Sequence, residues 1–248
     1  MKLKDKIILI TGGNAGIGAE MARQLSKQGA KIIISGRNEE TLRGVADEYG
    51  VDYIRCDVTK EADQYNLLKE VKTRYGKLDV LINNAGIMKK YAFAEDEITL
   101  SNIRNEIEIN TISPLTLTYL FLPLLKKSSE PAVVFVSSGL AYVPFPATPI
   151  YSGTKALMHH CAQSLRHQFK GDNIKVFELL PPPTDTALAD NFRTPSVKLM
   201  PVDKMVAEFV QGLKCNKYEI AAGMSKQMRI ISRIAPNFLF KQLANTFK

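Results

Sequence analysis

The 248-residue chain has no apolar run of membrane-spanning length. Its longest runs, such as Ile7–Ile10, Ile32–Ile34 and Ala132–Val136, fall far short of the roughly 20 residues a spanning helix needs. The first of these is also shorter than the roughly 7–15 apolar residues of a secretory signal, and it leads straight into a glycine motif. It therefore reads as the first strand of a cytoplasmic protein. Cysteine is scarce: Cys56, Cys161 and Cys215 stand at unrelated spacings, which argues against a disulfide framework or a zinc site. Histidine is as scarce, and His159, His160 and His167 lack partners at metal spacing. No metal is expected. Repeats, low-complexity tracts and Gly/Ser linkers are absent too, so residues 1–248 read as a single domain.

What is present is ordinary for a globular chain: 45% hydrophobic and 23% charged residues. The net charge of +8 and pI near 9.3 invite a nucleic-acid or anionic-membrane partner. The basic residues are nevertheless spread along the chain, with no aromatic-and-basic single-strand signature. No nucleic acid is expected, and part of the charge is available to an anionic cofactor.

Short β-branched runs alternate with longer helical patterns. The strand candidates are Lys6–Ile10, Lys31–Ser35, Asp52–Arg55, Leu78–Ile82, Ala132–Ser137, Ile174–Leu180 and Tyr218–Ala222. Helical patterns lie near 16–28, 38–49, 61–75, 98–127, 151–170 and 202–214. Several strands are continuously apolar, as where helices cover both faces of a parallel sheet. The fold class is therefore α/β: a doubly wound, Rossmann-type parallel sheet of about seven strands in one domain. Ligands in such a fold bind beyond the carboxyl ends of the strands.

Pro114 and Pro123 interrupt the fourth helical pattern and predict a kink or break there. Pro181–Pro183 end the sixth strand and open an irregular loop, Thr184–Met200. A loop of that length is commonly functional or mobile, so a substrate lid is expected at about 184–200. In the tail, about 224–248, Met224, Met228, Ile231, Ala235 and Phe238 recur at helical spacing, with Lys226, Arg229 and Arg233 toward the other side. That pattern suits a helix packed on its own domain or a partner subunit. It also suits a basic helix lying on anionic lipid.

Two cues mark a nucleotide end. Thr11-Gly12-Gly13-Asn14-Ala15-Gly16-Ile17-Gly18 follows the first strand and opens the first helix. Glycines there let backbone approach a pyrophosphate, and the helix N-terminus offers free N–H groups and positive dipole. At the end of the second strand, an acid would hold a ribose 2′-hydroxyl. This chain instead reads Ser35-Gly36-Arg37-Asn38, and Arg37 suits a 2′-phosphate. NADP(H) is expected in preference to NAD(H).

A third cue is chemical. Tyr151-Ser152-Gly153-Thr154-Lys155 places a phenol and an ammonium four apart, on one helix face. The ammonium, with an oxidised nicotinamide, is expected to bring the phenol down toward a useful acid/base range. Ser138 ends the fifth strand, where its hydroxyl can hold a carbonyl beside that phenol.

Thr11–Gly18, Asn83-Asn84-Ala85-Gly86, Asn110, Ser138 and Tyr151–Lys155 together resemble the short-chain dehydrogenase/reductase family in its single-domain form, over about residues 5–190. Ser137–Pro144 and Ser164–Gln168 resemble its bacterial DltE-type subgroup. The resemblance implies that Tyr151 is the general acid/base, that Ser138 polarises the substrate oxygen, that Lys155 holds the ribose and lowers the phenol, and that Asn110 anchors a relay water. It implies cofactor contacts from Gly12, Asn14, Gly16, Ile17, Gly18, Arg37, Asn38, Asp57, Val58, Asn84, Ala85, Gly86, Tyr151, Lys155, Pro181 and Thr186. Two positions depart from the pattern: Pro182 stands where Gly is common, and Phe177 where many members have Asn, which removes the usual strand-to-helix hydrogen bond.

Leu140, Tyr142, Phe145, Leu188 and Phe192 suggest an apolar pocket for a hydrophobic ketone or secondary alcohol. Helices 98–127 and 151–170 carry Leu115, Tyr119, Leu122, Cys161, Leu165 and Phe169 on more than one face, and the resemblance implies a homodimer or homotetramer. The rival reading is a catalytically silent dinucleotide sensor or scaffold on the same fold. Intact Asn110, Ser138, Tyr151 and Lys155 speak against it.

Overall fold

Seven parallel strands stand in the spatial order β3-β2-β1-β4-β5-β6-β7 in the computed structural model, which describes residues 1–94, 98–193 and 197–245. The strands are β1 Ile7–Thr11, β2 Lys31–Gly36, β3 Asp52–Arg55, β4 Val80–Asn83, β5 Ala132–Val136, β6 Lys175–Leu180 and β7 Glu219–Ala221. Each matches a strand candidate to within a residue or two. β1, β4 and β5 are buried along their whole length, which explains their unbroken apolar sequences.

Successive residues of β1 point to opposite faces. Ile8 and Ile10 join one core with Met21, Leu25, Leu42 and Phe209, beneath α1 (Gly16–Ser26), α2 (Glu39–Tyr49) and α7 (Val202–Lys214). Ile7 and Leu9 join the other with Leu67, Val71, Phe121 and Met158, beneath α3 (Glu61–Tyr75), α5 (Ser113–Leu125) and α6 (Pro149–Gln168). The strand order reverses between β1 and β4. Their carboxyl ends flank the crevice in which such folds bind ligands.

The fourth helical pattern is not broken at its prolines: it stays helical from Leu100 to Leu125, widening just before Pro114 and running on through Pro123. α4 (Leu100–Ile107) passes through a π turn, Glu108–Ile112, into α5, which carries Pro114 at its start and Pro123 inside. Asn110 sits in the π turn, a widened geometry found frequently at functional sites. Of the apolar residues spread over more than one face of these helices, Leu115, Leu122, Leu165 and Phe169 form the stripe that packs partly against the core. Tyr119 does point outward, at 73% exposure, with Ile107 and Ile112 also exposed nearby in sequence.

The tail forms two helices, α8 (Ser225–Ile234) and α9 (Pro236–Asn245), divided at Pro236. Met228 and Leu239 are buried against Val143, with Leu140, Tyr142, Ile231 and Leu243 around them. Packing on the chain's own domain thus accounts for part of the tail stripe. Phe238 lies outside it and is exposed.

Candidate active site

The glycine turn is built for close backbone approach. A methyl group on Gly18 would lie 2.2 Å from the Gly12 carbonyl oxygen, and one on Gly12 would lie 2.9 Å from Ala85 Cα. Gly12 and Gly16 also take positive φ, at 65° and 53°, where side chains are strained. α1 begins at Gly16 with no side-chain cap and no acid in its first turn. Its first N–H groups and the positive end of its dipole are therefore free for an anion. This cradle fits the pyrophosphate of a dinucleotide.

The flanking residues are held firmly. Thr11 Oγ1 accepts hydrogen bonds from the N–H groups of Asn84 and Ala85 at 3.0 and 3.1 Å. The Asn84 amide donates to the Thr11 and Gly12 carbonyls, tying β4's end to the turn. Thr186 reaches the same place from the far loop, since a methyl on Gly16 would meet its Cγ2 at 3.3 Å. Asn14 donates to Thr41 Oγ1 at 3.1 Å. Arg37 is exposed at the end of β2, and Asn38 caps α2 by accepting from the Thr41 N–H. Burial works to raise the Asp57 carboxyl, but its Thr59 bonds and then the Arg37 charge hold it below its ordinary value. Val58 is buried, and its carbonyl accepts from the Gln64 amide. Ile17, Pro181 and Gly86 complete the rim: Pro181's carbonyl accepts from the Gly139 N–H at 2.9 Å, while a methyl on Gly86 would meet Asn110 Oδ1 at 3.3 Å and Lys155 Nζ at 3.6 Å.

Four polar residues converge beside this cradle. Asn110 is 2% exposed. Its amide donates to the Ile87 carbonyl and Thr154 Oγ1, and its oxygen accepts from the Ile87 N–H. The π turn is thereby pinned to both the β4 loop and α6. Ser138 follows β5, and its hydroxyl works to lower the Tyr151 phenol. It also accepts from the Leu140 N–H at 3.1 Å. Lys155 donates to the Val136 carbonyl at 2.9 Å, and its Nζ stands 5.3 Å from the centre of the Tyr151 ring.

The expected lowering of the phenol includes an oxidised nicotinamide; in the protein by itself, burial governs both groups. Burial pushes the Tyr151 phenol up to about 12, the Ser138 hydroxyl opposes this, and Glu106 adds to it. Burial pulls Lys155 down to about 8, against the fields of Glu106 and Glu178. Tyr151 and Lys155 are only 7% and 4% exposed, and desolvation disfavours both charged forms.

Sequence reasoning missed Thr11, Thr154, Glu106 and Glu178. Glu178 is fully buried; it accepts from Ser137 Oγ at 2.5 Å and bonds His159 Nδ1 at 2.8 Å. The strand-to-helix tie that Phe177 cannot make is thus made one residue later. Phe177 stacks on Tyr218 instead, with 5.3 Å between ring centres. Local sequence carries no signal for such a tie, because its partners lie 19 residues apart.

The residues expected to line the substrate pocket have distinct surroundings. Tyr142 donates to Glu219 at 2.6 Å and packs with Leu140 beneath the tail, so both lean on α8 and α9. Phe145 is buried, with its N–H donating to Ser152. Leu188 remains 39% exposed, in a short helical turn, Ala187–Phe192. The side chain of Phe192 lies outside the described residues. The expected lid has joined feet: Asp185 N–H donates to the Met200 carbonyl and Met200 N–H to that of Pro183. Arg193 adds bonds to Asp185 and Asp190. Among the described residues no cluster suited to a metal ion occurs.

A glycine-lined helix start beside a buried polar cluster is a crevice suited to a dinucleotide, and residues 6–196 match the short chain dehydrogenase family model. The chain belongs to that family, whose members act on CH–OH or C=O groups. It is 36% identical over 247 residues to an uncharacterized oxidoreductase, DltE, of Bacillus subtilis, spanning 98% of each chain. Among solved structures it resembles a short chain dehydrogenase from Burkholderia cenocepacia in complex with NADP (TM-score 0.86, 25% identity, 98% of this chain and 99% of that one). It also resembles a 3-ketoacyl-(acyl-carrier-protein) reductase from Brucella melitensis complexed with NADH (TM-score 0.80, 26% identity, 89% and 97%).

Proposed function

We propose that this chain is an NADP(H)-dependent oxidoreductase that interconverts a hydrophobic ketone and its secondary alcohol, with Ser138, Tyr151, Lys155 and Asn110 as its catalytic residues. The observation that carries the reading is the convergence of those four side chains beside an uncapped, glycine-lined helix start. The cradle Gly12–Gly18 would hold the pyrophosphate, Arg37 and Asn38 the 2′-phosphate, Asp57 and Val58 the adenine, and Lys155 the ribose. A nicotinamide bound there supplies or accepts the hydride.

In the reducing direction Ser138 holds the carbonyl oxygen and Tyr151 delivers its phenolic proton to the forming alkoxide. Charge then develops between two hydroxyl donors already in place. A phenol held near 12 is protonated at neutral pH, which suits an acid. Lys155, charged below about 8, stabilises the phenolate left behind. Asn110, pinned by three hydrogen bonds, keeps the π turn in place for proton return.

The test is carbonyl-dependent oxidation of NADPH across a panel of ketones. Tyr151→Phe keeps the ring and removes the acid. It should lower turnover about 10²–10⁴-fold with dinucleotide affinity little changed. A wild-type protein that binds NADPH yet turns over no ketone or alcohol assigns the site to dinucleotide sensing instead.

A further inference from the structure

The chain's charge is unevenly placed. Residues 220–248 hold five Lys or Arg and no Asp or Glu, although the whole chain has 33 basic and 25 acidic residues. The structure gathers part of that charge around one groove of about 400 Å³, lined by Lys217, Lys226, Arg229, Arg233, Ile230 and Ile234, with Ala221. Lys226 and Arg229 pair with Glu208 and Glu219. Lys217 and Arg233 have no ion pair among the described residues. Ile230 and Ile234 stand 60% and 78% exposed, and on α9 Phe238 and Phe240 are exposed as well.

The inner face of α8 already has its core partner. Met228 is buried with Leu140, Tyr142 and Val143, and Ser225 abuts Gly139, where a methyl group would lie 2.5 Å from its hydroxyl. The outward residues are therefore the second face of a docked helix. Aliphatic side chains this exposed, interleaved with cations, cost solvation unless something covers them.

We propose that this outer face of α8 and α9 docks the protein on a bilayer surface bearing anionic headgroups. The cations meet the headgroups while Ile230, Ile234 and the α9 phenylalanines enter the acyl boundary, the arrangement of an interfacial helix. Charge complementarity selects this occupant over a second copy of the chain. A two-fold interface would set the same basic face against itself, and like charges brought together disfavour it. A nucleic acid would satisfy the cations and leave the exposed isoleucines against phosphate and water. Docked in this way, α8 stands between the bilayer and the loop that follows Ser138. The proposal does not depend on which carbonyl the site reduces.

Vesicle flotation of the full chain tests it, using phosphatidylcholine alone and phosphatidylcholine mixed with phosphatidylglycerol. The wild type should float with the anionic vesicles and stay behind with the neutral ones, and added salt should weaken the association. Lys217→Glu with Arg233→Glu should lower partition at least about tenfold. Ile230→Ser with Ile234→Ser should also lower it, leaving weak, salt-sensitive binding. All four positions are surface sites outside the cradle, so NADPH binding should be retained and reports that the variants fold. Wild type that does not float, that floats equally with both vesicles, or whose binding survives the charge reversals overturns the proposal. Sedimentation showing that the isoleucine variant abolishes self-association, with flotation unchanged, also overturns it and makes the face a contact between copies.

Discussion

Glu178 on β6, fully buried, meets His159 on α6, largely buried, at 2.8 Å. The same carboxylate takes the hydroxyl of Ser137, the neighbour of Ser138, while His159 lies one turn beyond Lys155 on the same helix. One buried acid therefore couples the strand that carries the proposed oxygen-binding hydroxyl to the helix that carries the proposed acid.

That coupling has a pH signature. The bond to Glu178 raises the His159 imidazole above its ordinary value, against burial. A raised folded-state value means that His159 contributes stability fully below its unfolded value near 6.5 and loses it as pH climbs through the folded value. Unfolding midpoints of wild type and His159→Gln should thus differ most in mildly acidic buffer and converge as pH rises. Glu178→Gln should lower kcat more than it raises KM for NADPH, since it loosens Ser138 against Tyr151 without touching the cradle. A stability gap that stays constant with pH removes the ionised pair.

Arg37 is the exposed cation at the end of β2, where selectivity for a 2′-phosphate is set. A charge-assisted hydrogen bond is worth about 1.5–3 kcal/mol, so NADPH should bind roughly ten- to a hundredfold more tightly than NADH. Arg37→Asp should erase or reverse that preference. Calorimetric titration with both dinucleotides reads it directly, and a wild-type preference for NADH defeats the assignment.

Lys155, pulled down to about 8 by burial, should make dinucleotide binding pH-dependent. It is charged below that value and neutral above, so NADPH affinity should fall as pH rises from 7 to 9 (roughly the span on either side of its midpoint). In Lys155→Met the affinity should be lower and this fall should disappear. Fluorescence titration across the range checks it; an unchanged pH slope in the variant means that another group sets the dependence.

Tyr119, 73% exposed on α5, marks the face through which a homodimer or homotetramer is expected to form. Tyr119→Glu should shift the protein to smaller species in sedimentation velocity at micromolar concentration. A wild type that is monomeric under those conditions ends that expectation. This experiment also separates the α5 face from the basic tail, which the lipid-docking variants address alone.

The elements legible in the sequence are those whose physics is local. β-branched runs, the glycines of Thr11–Gly18 and the four-residue step from Tyr151 to Lys155 depend on backbone sterics and helical period. They can be read without knowing what lies opposite. Pro114 and Pro123 suggested a kink or break in the fourth helical pattern, but not a continuous helix with a π turn at Asn110 held by Ile87 and Thr154. Tertiary structure alone decided the rest. The inward or outward lean of Leu140 and Tyr142 depends on a tail roughly 90 residues away folding back over them. The opposed titration of Tyr151 and Lys155 depends on how completely water is excluded, a property of everything packed around the site. The tie between β6 and α6 moved from Phe177 to Glu178 because the sheet happens to face that carboxylate toward His159. Periodicity and backbone preference act over a few residues and are written into the chain; desolvation and long-range pairing exist only once distant segments have met.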